Sequence, residues 1–351
     1  VYDEVFEQVS AQLAQLNDAW TLTVDSESVA GTIRLPNSAA EPWRVNLDYL
    51  HLDRSIGGAS ALVAEQTDAA EPADTQMELD LQELPTVEYI LPRNDPLADL
   101  DPRGFPDTRL AIDELTLAGS PFGQWRFLMQ TDDQGAEFSE LMVDARGLRI
   151  GSEEAPATFR WHYDGDTHNS ELNGIVSTTD LASVLSAYGY APSIQSQSAR
   201  FDSQLHWRGS PAYFSALGLN GEIELEVNNG RFQQRAGVAN SALRLISIIN
   251  FDAILRRLRF SEDITGSGLA YDEIRGKVLL EDGLVSIEDR LQIIGPSSLF
   301  QISGAVDLAE ETLDGDLYIT LPVSDNIPWL SGLAALNNLI NWQVAVGVFL
   351  F

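Results

Sequence analysis

The chain contains no cysteine, a single lysine (Lys277) and only four histidines in 351 residues. The absence of cysteine excludes disulfide frameworks, thiol nucleophiles and cysteine-ligated metal centres. No histidine pair has the H-E-x-x-H spacing of a zinc hydrolase, and the sequence has neither a phosphate-binding glycine loop nor a G-x-S-x-G nucleophile turn. The sequence therefore predicts a protein that is not an enzyme and that needs no cofactor.

Positive charge is scarce, since 53 acidic residues against 21 basic ones give a formal net charge of −32. A protein of this charge repels phosphate backbones, which argues against a nucleic-acid partner. The sequence also lacks an uninterrupted apolar run of about 20 residues, the length of a membrane-spanning helix. The chain begins with valine and stops within the apolar run 344–351, so we expect it to be a processed or excised piece of a longer protein.

The most frequent pattern is an alternation of apolar and polar residues with a period of two. Residues 199–208 show it most clearly, and in residues 223–227 apolar side chains alternate with glutamates. Because successive side chains of a strand point to opposite faces, the pattern predicts a sheet with one apolar and one polar face. Other predicted strands include 20–24, 43–49, 110–117, 125–127, 141–150, 159–163, 277–280, 284–287, 299–302 and 317–321.

Few segments have the period of a helix. Apolar residues at positions 5, 6, 9, 13 and 16 predict a short amphipathic helix within residues 1–18. Asp180 is placed to cap a helix that ends near position 188, and Ser210-Pro211 is expected to open another short one. The longest amphipathic helix is predicted over about 237–258.

Two Asp-Gly pairs predict hairpin turns, because glycine accepts the positive φ that such turns need. They are Asp164-Gly165 and Asp282-Gly283. The first lies in a local cluster of oxygen-bearing side chains that also includes Asp166, Asn169 and Glu171. A calcium loop would need glycine at the position of Asn169, so we prefer the hairpin to a metal site.

Composition divides the chain into five parts. Residues 1–63 contain the N-terminal helix and the first strands. Residues 64–107 hold 12 acids and six of the 15 prolines, which predicts a loop or lid rather than a strand. Residues 108–197 continue the strands with one short helix, and residues 198–323 form a further β region that includes the helix at about 237–258. Residues 324–351 form an apolar C-terminal segment, truncated at its end, with no charge after position 325.

Two segments suggest contact with a membrane. Six arginines and one acid lie between positions 231 and 259, and guanidinium groups bind phosphate oxygens well. These arginines could instead pair with the abundant acids. The uncharged tail fits an interfacial segment, because tryptophan prefers the membrane interface, or else a helix that closes the domain. The candidate headgroup or membrane residues are Arg244, Arg256, Arg257, Arg259, Trp329 and Trp342.

A succession of short motifs runs through nearly the whole chain. They lie at residues 237–245, 249–251, 255–258, 268–272, 281–283, 295–298, 302–308 and 321–330, preceded by 19–33, 45–50, 101–102 and 123–127. In this order they resemble the AsmA-like C-terminal region of the YhdP family. The resemblance implies a long protein of the Gram-negative envelope, anchored in the inner membrane by a helix outside this chain. It also implies a mainly β fold, in which a long curved antiparallel sheet with a few amphipathic helices forms an open apolar groove across the periplasm.

The function implied by the resemblance is the carriage of phospholipid toward the outer membrane. The C-terminal segment would lie near the inner leaflet of the outer membrane or near a partner there. Ten alternating apolar residues are the candidates for lining the groove: Phe201, Leu205, Trp207, Ile223, Leu225, Val227, Phe300, Ile302, Leu317 and Ile319. Which face of the sheet forms the groove is left open by the alternation.

Three other interpretations fit the same residues. On pattern alone a β-sandwich would show the same alternation, with its apolar faces buried as core. The protein could be an envelope scaffold whose acidic segment 64–107 contacts a partner. A carboxylate-based hydrolase on a β scaffold is a weaker alternative, since no motif supports it.

Overall fold

A computed structural model describes residues 9–16, 19–38, 40–52, 95–117, 119–188, 192–232, 269–296, 298–310, 312–320 and 342–345. Within these residues the chain forms one sheet of 18 strands. The strands are β1 (Ser10–Leu16), β2 (Ala19–Asp25), β3 (Val29–Pro36), β4 (Trp43–Leu52), β5 (Thr108–Leu117), β6 (Ser120–Asp132), β7 (Gly135–Ala145), β8 (Leu148–Ile150), β9 (Ala157–Tyr163), β10 (His168–Thr178), β11 (Ile194–Gln195), β12 (Ser198–Arg208), β13 (Asn220–Phe232), β14 (Ala270–Glu281), β15 (Leu284–Gly295), β16 (Ser298–Asp307), β17 (Thr312–Thr320) and β18 (Trp342–Ala345). The described helical elements are one α-helix, α1 (Leu181–Ala187), and 3-10 turns at Pro102–Gly104, Pro211–Tyr213 and Ala216–Gly218.

The strands follow one another across the sheet in nearly the order of the chain. Strands β8 and β9 both lie between β7 and β10, and β11 and β12 both pair with β13. A mainly β fold built on a long sheet is therefore confirmed. Within the described residues there is one sheet and not two, so the sandwich alternative is not what this part of the chain forms.

Two strand pairs correct the expectation of a purely antiparallel sheet. Strands β4 and β5 are parallel, and so are β17 and β18. Parallel neighbours need a connection that returns the chain to the end from which the first strand started. The long segment between β4 and β5 supplies that return. The acidic composition of this segment does not show which strand it leads back to.

The predicted hairpin turns are confirmed. Asp282 and Gly283 both have positive φ, 45° and 88°, and they join β14 to β15 directly. In the β9–β10 hairpin, the Asp164 carboxylate accepts hydrogen bonds of 2.9 Å from the backbone N–H groups of Thr167 and Asp166. These bonds lower the pKa of Asp164 to about 2. The Asp164 carboxylate therefore stabilises the hairpin turn.

The structure agrees with some of the predicted helices and not with others. Asp180 caps α1 as expected, accepting bonds from the backbone N–H groups of the first turn. Ser210 also acts as a cap, but of a single 3-10 turn and not of an α-helix. The helix predicted within residues 1–18 is wrong for residues 10–16, which form β1. The helix predicted at about 237–258 lies outside the described residues, as does most of the acidic loop.

Pairing with β2 explains why residues 10–16 form a strand. Its apolar residues Ala11 and Leu13 lie opposite Val24 and Leu22 of β2, so the alternation continues across the pair. An isolated helix of this length is marginal in water, whereas pairing with β2 satisfies the backbone hydrogen bonds along one edge. The apolar spacing alone was compatible with both structures.

The described end of the acidic loop, residues 95–107, runs across the ends of central strands of the sheet and is called here the edge segment. Its Asp95 carboxylate accepts hydrogen bonds from the backbone N–H (2.7 Å) and hydroxyl (2.5 Å) of Ser210. The carbonyl oxygen of Ala98 lies 3.0 Å from Nε2 of His168. The edge segment thus joins the strand ends of β10 and β12 to the start of β5.

Asp95→Ala is expected to loosen the edge segment without unfolding the sheet. The variant leaves two donors of Ser210, a fully buried residue, without an acceptor, which costs about 1–3 kcal/mol. Limited proteolysis followed by mass spectrometry should show faster cleavage within residues 95–107. Asp99→Ala is the matched control, because Asp99 is an exposed acid of the same segment. Equal cleavage of the two variants would contradict the anchoring role of Asp95.

Candidate functional site

The most extensive chemical feature of the sheet is a line of apolar residues that runs across the strands. Side chains directly opposite each other on paired strands share a face, so the registers show which residues lie together. From β2 to β17, one line meets an apolar residue or a glycine on every strand that it crosses. Its members, called here the apolar line, are Val24, Gly31, Leu47, Ile112, Trp125, Val143, Ile150, Val176, Phe201, Leu225, Gly276, Leu291, Ile302 and Leu317.

The apolar line is long in comparison with a lipid. Neighbouring strands lie about 4.8 Å apart, so 14 strands span roughly 60 Å along the sheet. At one step the register shifts between β14 and β15, and the Leu291 side chain lies over Gly276. The glycine leaves room for that leucine, and the apolar surface continues across the irregularity.

Aromatic side chains widen the apolar surface in the middle of the sheet. The ring centre of Phe138 lies 5.1 Å from that of Phe127 and 5.6 Å from that of Phe159. Phe159 continues the series to Trp207 at 5.7 Å. Phe159 and Leu172 pack against two of the three buried clusters, one centred on β7 and the other on β12. These clusters therefore belong to one continuous face.

The opposite face is charged and exposed. On β12, Arg200, Asp202 and Gln204 are exposed, whereas Ala199 and Leu205 are buried. The only lysine lies on this outer face, with Nζ 2.8 Å from Glu222 and 3.1 Å from Glu288. Hydrogen bonds to those two carboxylates raise the pKa of Lys277. The apolar face is thus the sheltered one, and the polar face meets water.

All ten groove candidates named from the sequence lie on the apolar face. Phe201, Ile223 and Leu225 are half-buried, and the other seven are buried. Five of them (Val227, Phe300, Ile302, Leu317 and Ile319) belong to one cluster that spans β12 to β17. The structure therefore brings the candidates together on one surface.

The headgroup candidates lie almost entirely outside the described residues. This holds for Arg244, Arg256, Arg257, Arg259 and Trp329. Trp342 is the first residue of β18, where its backbone pairs with Gly315 of β17. Residues 342–345 therefore form a strand. Neither of the two structures predicted for the tail, an interfacial segment or a closing helix, included this strand.

Sequence reasoning missed the contribution of the first half of the sheet. Trp125, Val143 and Phe159 extend the apolar face there, and their alternation was visible in the sequence. His168 was also missed as a structural residue. It is buried, and its Nδ1 accepts a 3.0 Å hydrogen bond from the Trp161 indole N–H, which leaves Nε2–H to donate to the edge segment. Nothing in the spacing of the four histidines indicated this.

Other chemistries find little support on this surface. Among the described residues, no three acidic or histidine side chains are grouped as a metal site requires. Of the helices in the described part of the chain, none is both long and apolar enough to cross a membrane. What the geometry offers is an extended apolar surface.

Comparison with known proteins agrees with the resemblance seen in the sequence. The family model described as YhdP protein matches residues 1–347. No curated protein and no solved structure gives a significant match. Because the family model covers nearly the whole chain, this protein belongs to the YhdP family.

Proposed function

We propose that this chain carries phospholipid along its apolar face, as a non-enzymatic part of a periplasmic protein that connects the inner and outer membranes. The observation that carries the proposal is the apolar line, which crosses 14 strands without a polar side chain. Membership of the YhdP family supports a place in the cell envelope.

The energetics favour acyl chains as the ligand. Each methylene group removed from water contributes about 0.8 kcal/mol, so a fatty-acid tail gains much from a surface of this length. Several positions of the apolar line, among them Phe201, Leu225 and Leu291, are only half-buried and so leave apolar area for a ligand to contact. The phosphate headgroup needs no dedicated pocket, because it can stay in water beside the sheet.

The uniformity of the apolar line favours movement of lipid along the sheet over storage of lipid at one place. Successive positions offer the same chemistry, so an acyl chain gains similar free energy at each strand. A ligand on such a surface meets no single deep minimum. This is what a conduit needs, whereas a storage protein would enclose its ligand in a closed cavity of defined shape.

Site-specific photo-crosslinking tests the proposal directly. Benzoylphenylalanine placed at Phe201 replaces one aromatic residue by another on the apolar face. We expect it to form a covalent adduct with phospholipid in cells or after incubation with liposomes, detected by intact-mass analysis and lipid extraction.

The matched control is benzoylphenylalanine at Asp202, the next residue of β12, which is exposed on the polar face. It should give no lipid adduct. Equal adducts at the two positions, or none at either, would contradict the proposal. A protein adduct at Asp202 with no lipid at Phe201 would instead support the scaffold alternative.

A further inference from the structure

One end of strands β2 to β5 combines exposed tryptophans with arginines that, apart from one, have no partner among the described residues. Trp20 and Trp43 are each 40% exposed and lie on the apolar face, Trp20 as the second residue of β2 and Trp43 as the first of β4. Leu35 of β3 lies between them in the register. Among the described residues, neither indole N–H has a hydrogen-bond partner. Contiguous exposed apolar patches, unlike scattered single residues, mark interaction sites.

On β3, β4 and β5 the neighbouring position, on the polar face, is basic, whereas β2 has Thr21 there. Arg34 lies directly opposite Arg44, and Arg44 lies beside Arg109 in the parallel pair of β4 and β5. Like charges opposite each other destabilise a sheet. A chain with 53 acids could readily have placed carboxylates here, and yet three arginines occupy adjacent strands.

Only one of these arginines is neutralised. Arg109 makes a bidentate pair with Glu140, with Nη1 at 2.5 Å and Nη2 at 3.0 Å from the carboxylate oxygens. Arg34 and Arg44 make no hydrogen bond and no ion pair with any residue in the described part of the chain. Within the described part of the chain, two guanidinium groups on the polar face and two indole groups on the apolar face are therefore without a polar partner at the same strand ends.

We propose that this Trp–Arg patch (Trp20, Trp43, Arg34, Arg44 and Arg109) docks the end of the sheet on the headgroup region of an anionic bilayer. Tryptophan prefers the depth of the headgroups, and guanidinium groups bind lipid phosphates. Because the patch lies at strand ends, an edge-on approach brings both faces into contact with the membrane. The same approach places the apolar face against the bilayer surface.

The net charge of −32 does not prevent this contact. At physiological ionic strength, charges are screened over roughly 8 Å, so acids elsewhere on the sheet act weakly here. The acids near the patch are Glu41, two residues before Trp43, and Asp107, whose carbonyl oxygen accepts a hydrogen bond from the Trp43 backbone. The proposal goes beyond the carriage of lipid, since the patch would bind a membrane whether or not the apolar face holds a ligand.

Vesicle flotation of the full chain provides the test. Vesicles of phosphatidylcholine with 30% phosphatidylglycerol, and vesicles of phosphatidylcholine alone, serve as the two surfaces. Binding should be strong only to the anionic vesicles. The variant Arg34→Gln/Arg44→Gln should weaken it by roughly thirtyfold, given about 1 kcal/mol per basic residue near an anionic surface.

The matched control is Arg208→Gln/Arg290→Gln, which removes the same charge from exposed positions in the second half of the sheet. It should bind like the unmodified chain. A second readout is quenching of tryptophan fluorescence by brominated lipids, which should fall in the variant Trp20→Phe/Trp43→Phe.

Three outcomes would overturn the proposal. Equal binding of the two arginine variants would mean that only net charge matters, and unchanged quenching would place the tryptophans away from the bilayer. Binding of soluble glycerophosphoglycerol to the chain, without binding to vesicles, would indicate a site for free anions. Failure of the lipid crosslink at Phe201 would leave this result unaffected, so the two proposals fail separately.

Discussion

The double variant Leu225→Asp/Leu291→Asp is expected to hold roughly tenfold less phospholipid than the unmodified chain, or less still. The two residues flank Gly276 in the apolar line, so the carboxylates interrupt it on neighbouring sides of one strand. If an acyl chain loses contact for only two methylene groups, its binding weakens by about 1.6 kcal/mol, which is somewhat more than tenfold. Native mass spectrometry with lipid extraction would measure the loss.

The choice of positions protects the fold. Leu225 and Leu291 are half-buried, so the new carboxylates can remain hydrated, whereas an aspartate at a buried position such as Leu205 would unfold its cluster. The control is Leu279→Asp/Leu284→Asp, which adds the same charge at exposed leucines on the outer face of β14 and β15. Equal lipid content in the two double variants would contradict the proposed function, on which this prediction rests.

Gly304→Ala is expected to be strongly destabilising. Gly304 has φ of +129° in the middle of β16, a conformation that essentially only glycine adopts. The backbone strain alone costs about 1–3 kcal/mol. An added Cβ would also overlap the carbonyl oxygen of Asp314 and the Cα of Gly315 on β17. The pairing of β16 with β17 would have to open, which would expose the cluster around Phe300.

Urea denaturation monitored by tryptophan fluorescence and circular dichroism would measure this effect. Gly104→Ala is the suitable control, because a Cβ at that position meets no atom within 4 Å and its φ is not positive. The control should leave the midpoint unchanged. A Gly304→Ala variant as stable as the control would show that β17 is free to move away from β16.

The two-faced sheet could be predicted from the sequence because the alternation of apolar and polar residues along each strand is kept when the strands pair. Once Phe201 and Leu225 are assigned to strands, a register that sets them opposite each other places all their even-spaced neighbours on the same face. The candidate lining residues followed from this parity alone. Which strand pairs with which was a separate question, and the sequential order of an antiparallel sheet answers most of it.

The rest depended on contacts that no local pattern encodes. The bond between Asp95 and Ser210 joins residues 115 positions apart. The bulges, such as the two extra residues of β15 between Ile287 and Leu291 opposite β16, have no sequence signal. The free arginines could not be recognised either, because Arg34 and Arg44 become neighbours only through the register of β3 and β4.

The sequential pairing of the strands has a consequence for how this protein melts. Each strand packs mainly against its two neighbours, so the free energy of folding is close to a sum of local terms, as in repeat proteins. Such a chain has no single melting point, because the sheet can fray from either end while its middle persists. The edge segment is the exception, since it ties β5, β10 and β12 together. It therefore converts the central strands into one cooperative block between two ends that unravel gradually.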